Sequence, residues 1–297
     1  MDYIKINHLT KDYGKGRGIF DVSLEIQKGE VYGFVGINGA GKTTTIRHMM
    51  GFLKPDGGSV TINGLDATKK SAEVKRYVSY IPGEINFPGN TSGEEFLKEQ
   101  IYLSGRGNWE YAKELSDLLQ LDVSVKVNSM SKGMKQKAAI VSAFASDADI
   151  LIMDEPTTGL DPLMRDIFLD LIKEEKEKGK TIFMSSHIFH EVEEVCDRVA
   201  VIRKGKIIEV IDMEDIRYNK EKVYRMEFKS QEELKRFLNL GYQIDQLKSE
   251  DLQVFVQIHD EKINDLIQSL KSFDLVYFKE IKIQFEDYIT EIFKEEA

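Results

Sequence analysis

At 297 residues the chain has room for one large domain, or a large one with a small companion, and ample core. It carries 41 Lys and Arg against 51 Asp and Glu, a formal charge of −10 with both signs mixed, so the basic face of a duplex-DNA binder is not expected and no nucleic-acid partner is assigned. The single cysteine, Cys196, excludes an intramolecular disulfide and a cysteine metal cluster. No apolar run approaches the ~18 residues of a membrane span, and "MDYIKINHLTKDYG" has no signal-peptide core, so a soluble, cytoplasmic chain is expected.

The first thirty residues read as strands, "YIKINHL" and "GIFDVSLEI", the second half-alternating and closed by "QKGE". Next comes "EVYGFV", a β-like run that leads into "GINGAGKTTTIRHMM". Its glycines open backbone angles closed to other residues and leave main-chain N–H groups uncovered where a helix begins, which makes an anion site. The spacing Gly36-x4-Gly41-Lys42-Thr43 is the P-loop pattern: the backbone holds phosphates, Lys42 reaches the β/γ oxygens and Thr43 binds Mg²⁺.

"GSVTINGLD" reads as a hairpin, and "YVSYIP" as a short strand ended by Pro82 and Gly83. From "SGEEFLKEQIYLSG" to "NWEYAKELSDLLQLD" the period turns helical, with Leu115, Leu118 and Leu119 on one face and Trp109 opening the second helix. A helix from about Lys132 to Ser146 precedes the buried-strand run "DILIMDE". Then come the helix "PLMRDIFLDLIKEEKEKGK", the strand "TIFMSS", the helix "HEVEEVCDRV", which would bury Cys196, and the hairpin "VAVIRKGKIIEV", turning at Lys204-Gly205. Strands alternating with helices imply a mainly parallel sheet. "DMEDIRYNKEKV" reads as a charged linker. Beyond it "VYRMEF", "LQVFVQI" and "LVYFKEIKI" read as strands, "SQEELKRFLNLG" and "EKINDLIQSLKSF" as helices, and a last amphipathic helix closes a separate small α/β unit.

A P-loop alone fits a GTPase, a kinase, a helicase or a transport ATPase. "ILIMDEPTTGLDP" adds Asp154 and Glu155 at the end of a buried strand, where a sheet presents its ligand edge. A carboxylate there can hold Mg²⁺, and its neighbour can orient the attacking water. "NSMSKGMKQK" comes before this pair, "GLDP" after it, and "SSH", ending at His187, after the next strand. Ser131, at a predicted helix start, can face an anion with its hydroxyl and the nearby N–H groups.

With these pieces in this order, the chain resembles the ATP-binding subunit of an ABC transporter over about residues 1–211. The resemblance implies that Tyr13 stacks on adenine and that Gly36, Asn38, Gly39, Ala40, Gly41, Lys42, Thr43 and Thr44 form Walker A. It makes Met130 to Met134 the signature, with Ser131 and Gly133 contacting the γ-phosphate held by a second ATP-binding subunit, identical or paralogous. It also makes Asp154 the Walker B aspartate, a Mg²⁺ ligand with Thr43; Glu155 the catalytic glutamate; Asp161 the D-loop residue; and His187 the switch histidine. His190, one turn on, is expected on the helix surface. The signature departs from Leu-Ser-Gly-Gly-Gln at Lys132 and Met134, and the family's Q-loop glutamine is missing. Gly83 stands there, followed by Glu84.

The resemblance implies an α/β fold: a RecA-like P-loop core with an antiparallel β subdomain and a helical subdomain (insert about 83–128), residues 1–220, and a small C-terminal α/β accessory domain, residues 221–297. It implies a head-to-tail dimer that hydrolyses Mg-ATP to drive a separate multi-span permease subunit, at the cytoplasmic face of the membrane. "SKGMKQK", "PGE" and "FEDYITEIFKE" look like the bacterial exporter branch, which moves drugs, antibiotics, peptides or polymers. The alternative is a nucleotide-gated regulatory ATPase of the same superfamily, without transport, whose C-terminal domain senses a ligand.

Overall fold

The computed structural model describes residues 2–87, 89–218, 220–281 and 285–295. Outside them lie Pro88 of the loop after the strand expected at 77–82, Asn219 of the expected linker, and Lys282 and Ile283 at the end of the last expected strand. The chain divides into two compact units, Met1–Met213 and Glu214–Ala297.

The first unit begins with the antiparallel pair β1 (Asp2–Asp12) and β2 (Gly18–Gln27); β2 buries alternate residues, as a strand with one covered face does. β3 (Val31–Val35) is instead buried at every position. It leads to α1 (Lys42–Met49) and then to a hairpin of β4 (Gly57–Ile62) and β5 (Leu65–Asp66). Asn63-Gly64 turns that hairpin with positive φ at both residues (49° and 75°), the angles a two-residue hairpin loop needs. β4 also pairs with β1, giving an antiparallel sheet in the order β2-β1-β4-β5.

The rest of the unit is α2 (Ser71–Val74), β6 (Val78–Ile81), α3 (Gly93–Ser104), α4 (Trp109–Leu118), α5 (Lys132–Ala145), β7 (Ile150–Asp154), α6 (Pro162–Glu177), β8 (Thr181–Ser186), α7 (Phe189–Val195), β9 (Arg198–Arg203) and β10 (Lys206–Asp212). The second sheet runs β10-β9-β3-β8-β7-β6, parallel throughout except for the β9–β10 hairpin. β7 and β8, like β3, are buried along their whole length, the mark of parallel strands covered on both faces. This order places the C-terminal ends of β3, β8 and β7 side by side, where the site forms.

The three helices that the sequence suggests between 92 and 146 are α3, α4 and α5. Ser92 and Glu95 build a reciprocal capping box at the start of α3, Gly105 closes it in the left-handed region, Asn108 caps α4 and Ser131 caps α5. Leu115 and Leu119 are buried, but Leu118 is exposed, against expectation. At ~100° per residue, Ala112, Leu115, Ser116 and Leu119 share one arc, and Leu118 falls about 110° from its centre.

The helix expected through 190–199 stops at Val195. Cys196 is its extended C-cap residue, buried as expected but outside the helix, because Arg198 to Val201 are taken by β9 for pairing with β3. His190 is exposed on α7.

The segment read as a linker holds α8 (Met213–Arg217) and the start of β11 (Glu221–Phe228). The second unit continues with α9 (Gln231–Leu238), β12 (Gln243–Lys248), β13 (Gln253–His259), α10 (Ile263–Leu270), β14 (Leu275–Ile281) and α11 (Phe285–Glu295). Its antiparallel sheet has the order β12-β13-β11-β14, a split β-α-β arrangement. Tyr224, Met226, Phe228, Val254, Val256 and Ile258 on the strands pack with Leu234, Phe237 and Leu266 on α9 and α10 as a core of their own.

Candidate functional site

The P-loop follows β3 directly. Gly41 takes φ +117° as the residue before α1, a left-handed angle that a side chain would strain, and no side chain caps α1 among the described residues. The first N–H groups of α1 therefore meet the loop as an anion-binding end. Gly36 is fixed by space: a Cβ there would lie 2.3 Å from the Ile202 carbonyl oxygen. Lys42 is nearly buried, at 6% exposure, and donates from Nζ to the Gly36 carbonyl at 2.5 Å. Ala40 is buried behind the loop, and its carbonyl accepts from the Gly205 amide at 2.9 Å.

β7 ends at Asp154, which is buried and accepts a hydrogen bond from the Ser185 hydroxyl at 2.6 Å. Glu155 follows with φ +53°, a sparsely populated angle for a non-glycine residue; such strain gathers at functional sites. Its amide donates to both the carbonyl and the hydroxyl of Ser185, each at 3.1 Å. Held this way, its carboxylate stands between two side chains: Lys42 Nζ lies 3.0 Å from Oε1, and His187 Nδ1 hydrogen-bonds Oε2. Walker A, the strand-end acid and the histidine thus form one chain of contacts.

These residues open onto a cleft of about 810 Å³. Asn38, Gly39, Gly41, Lys42, Thr43, Thr44, Asp154, Glu155 and His187 all line it, and so does half-exposed Tyr13 near Arg17. Gly83 and Glu84 line it too, and Gly83 sits so close to Asp154 that a Cβ would lie 3.2 Å from its Oδ2. Ser131, Gly133 and Asp161 do not share this cleft. Ser131 accepts from the Met134 amide at 3.2 Å, Asp161 caps α6 by accepting from the Met164 amide at 3.1 Å, and both are exposed. A Cβ on Gly133 would lie 2.9 Å from the Gly159 carbonyl oxygen.

Sequence reasoning missed several supporting groups. Ser185 orients Asp154 and Glu155, and the only sign of it was the serine pair before His187. Gln136 on α5 donates to the Pro156 carbonyl at 2.6 Å while almost fully buried, which ties the signature helix to the loop after Glu155. Tyr80 lines the cleft as well; burial, and then the charge of Asp154, push its hydroxyl up to about 12, so it stays a neutral donor.

Among the described residues no group of three or more His, Cys, Asp or Glu side chains could hold a metal by itself. Thr43 and Asp154 together offer hard oxygen donors at the cleft, too few for a protein cage. They suit a Mg²⁺ that draws its other ligands from phosphate and water.

Comparison with known proteins agrees with this geometry. The family described as ABC transporter matches residues 19–158. The chain is 40% identical over 198 residues to the ABC transporter ATP-binding protein NatA of Bacillus subtilis, covering 65% of this chain and 80% of the relative. It is 35% identical over 234 residues to the bacitracin transport ATP-binding protein BcrA of Bacillus licheniformis, covering 77% and 76%. A solved ATP-binding subunit of an ABC transporter superposes with a TM-score of 0.65 at 32% identity, over 73% of this chain and 92% of the other.

Proposed function

Because the chain belongs to the ABC transporter ATP-binding proteins and is an ATPase with their RecA-like α/β fold, we propose that the cleft at the ends of β3, β7 and β8 binds Mg-ATP and hydrolyses it to power a separate transmembrane subunit. The observation that carries this reading is the contact chain Lys42–Glu155–His187 beside buried Asp154.

The amides of Gly39 to Thr44 and the Lys42 ammonium hold the phosphates, Asn38 and Gly36 shape the loop, and Tyr13 stacks on the base. A phosphate arriving at Lys42 competes with Glu155 for it through charge-assisted hydrogen bonds. The carboxylate so released is free to accept a proton from the attacking water, within reach of the γ-phosphate. His187 keeps Glu155 in place from the other side and supports the γ-phosphate. Thr43 and Asp154 would hold Mg²⁺, which neutralises charge shared between the phosphate oxygens.

Ser131, Gly133 and Asp161 lie on exposed helix starts outside this cleft. That placement supports their acting on the ATP of a second subunit in a head-to-tail dimer. Among the described residues no helix is long and apolar enough to cross a membrane, so transport work needs a multi-span permease partner, which would hold the chain at the cytoplasmic face of the membrane. A relative named for bacitracin transport supports an exporter role for a drug, antibiotic, peptide or polymer. Residues 221–297 are proposed as an accessory domain.

Affinity purification of the tagged chain, co-expressed with the membrane proteins of its own cell, tests the coupling. A multi-span protein should be retained and should change the rate of ATP hydrolysis. A chain that hydrolyses ATP but binds and answers no such protein contradicts the transport reading.

A further inference from the structure

Behind the contact chain lies a buried acid that the hydrolysis scheme above does not use. Glu191, on the first turn of α7, is 2% exposed. Its Oε2 accepts two hydrogen bonds, from the Thr157 hydroxyl at 2.9 Å and the Ser186 hydroxyl at 3.1 Å. Thr157 is two residues beyond Glu155, and Ser186 comes directly before His187. Both are also buried. Ser186 in turn accepts from the Ile188 amide at 2.9 Å, so it spans the histidine on both sides.

The arrangement is costly. Oε1 of Glu191 is buried without a hydrogen-bond partner among the described residues, as is Nε of Arg165 on α6. Burial pushes the Glu191 carboxyl above its usual range, against the pull of Thr157, Ser186, Arg165 and His187. A half-satisfied acid stabilises a fold less than an apolar side chain of similar size would. What it supplies instead is a tie between two loops that come from different strands.

We propose that Glu191 is a positioning residue for ATP hydrolysis: by accepting from Thr157 and Ser186 at one oxygen, it locks the loop after Glu155 to the loop that carries His187. The strained backbone at Glu155 and its contact with His187 are then held in one geometry. Gln136, bonded to the Pro156 carbonyl, extends the tie to the signature helix. This proposal rests on the roles given above to Glu155 and His187.

The test is steady-state ATPase on the full chain with Glu191→Ala, Glu191→Gln and Thr157→Val. The expected result for Glu191→Ala and Thr157→Val is a fall in kcat of about tenfold or more, since small misplacements of reacting groups are costly. KM and nucleotide affinity should stay within about twofold, because neither residue reaches the P-loop. Glu191→Gln keeps a carbonyl oxygen for both hydroxyls and should recover most of the rate. In a His187→Ala background, Glu191→Ala should cost little more, as expected for residues that act as a unit.

Unchanged kcat in Glu191→Ala, matched losses of kcat and affinity, or an undiminished loss in the His187→Ala background would each overturn the proposal. If Glu191→Ala does not fold, Thr157→Val alone carries the same reading, since it removes a donor to Glu191 and leaves the Ser186 bond to the Ile188 amide in place. Glu155→Gln separates the layers. Full turnover in that variant brings down the assignment beneath the proposal, whereas a dead Glu155→Gln beside a normal Glu191→Ala brings down the proposal alone.

Discussion

Lys42 has two acceptors, the Gly36 carbonyl and the Glu155 carboxylate, and almost no exposure to solvent. Lys42→Ala therefore removes the cation nearest the loop amides without opening the core, and Glu155 keeps its bond to His187. Hydrogen bonds to charged groups contribute about 1.5–3 kcal/mol each, so ATP affinity should fall roughly 10- to 100-fold. Titration with a fluorescent ATP analogue reads this directly, and unchanged affinity in a folded variant would contradict the P-loop assignment. Walker A, Asp154, Glu155 and His187 were legible in the sequence because phosphate binding by backbone demands glycines at fixed spacing. The acids and the histidine sit at strand ends that apolar runs mark. Ser185, Gln136 and Glu191 were not legible, because a buried hydrogen bond between residues 20 or more positions apart leaves no local pattern. The space at Gly83 is a similar case: only the fold shows that a side chain there would crowd Asp154.

A polar cluster around buried Glu175 joins α4 to α6 and to Lys180, the residue before β8. Glu175 on α6 is fully buried; its Oε1 accepts from Lys178 at 2.7 Å and from the Tyr111 hydroxyl on α4 at 3.1 Å, and Lys180 lies 2.5 Å from Oε2. Burial alone would raise the carboxyl, but Lys178 and Lys180 outweigh it and hold it below its ordinary value of 4.5. A carboxyl depressed in this way stabilises the fold above the unfolded-state value, and that contribution is lost as pH falls through the lower folded-state value. Glu175→Gln takes the carboxylate from half-exposed Lys178 and from Lys180, which keeps Asp147 at 3.0 Å, and should cost about 1.5–3 kcal/mol at neutral pH, with the gap to wild type closing in acid. Urea unfolding of both proteins across that range measures it; a gap that widens on acidification would refute the assignment. At this scale the parallel strands were legible because burial on both faces makes them unbroken apolar runs. β12 was missed because "QIDQLK" is almost wholly exposed and carries no apolar alternation. The early end of α7 was missed because strand pairing with β3 overrides a helical pattern in "VCDRV".

The whole molecule pairs a nucleotide-binding unit with a second unit that has its own sheet and core. The alternation of strands and helices announced the first, and the return of short strands after a charged stretch announced the second. The helix within that stretch gave no signal, because five residues are too few to show a period. Every residue lining the cleft lies before Met213, so a chain ending at Tyr218 should stay soluble and bind ATP with near-native affinity. Aggregation without ATP binding would contradict the independence of the first unit.

Glu155 is proposed as the proton acceptor of a site completed by a second subunit. Glu155→Gln keeps the shape but cannot accept the proton, so turnover should fall on the order of 10²-fold or more while ATP still binds. Light scattering of that variant with ATP and Mg²⁺ is the most direct measurement. A stable dimer that appears only with nucleotide and hydrolyses almost nothing is the expected result. A monomer under those conditions, or a variant that turns over at the wild-type rate, would contradict it.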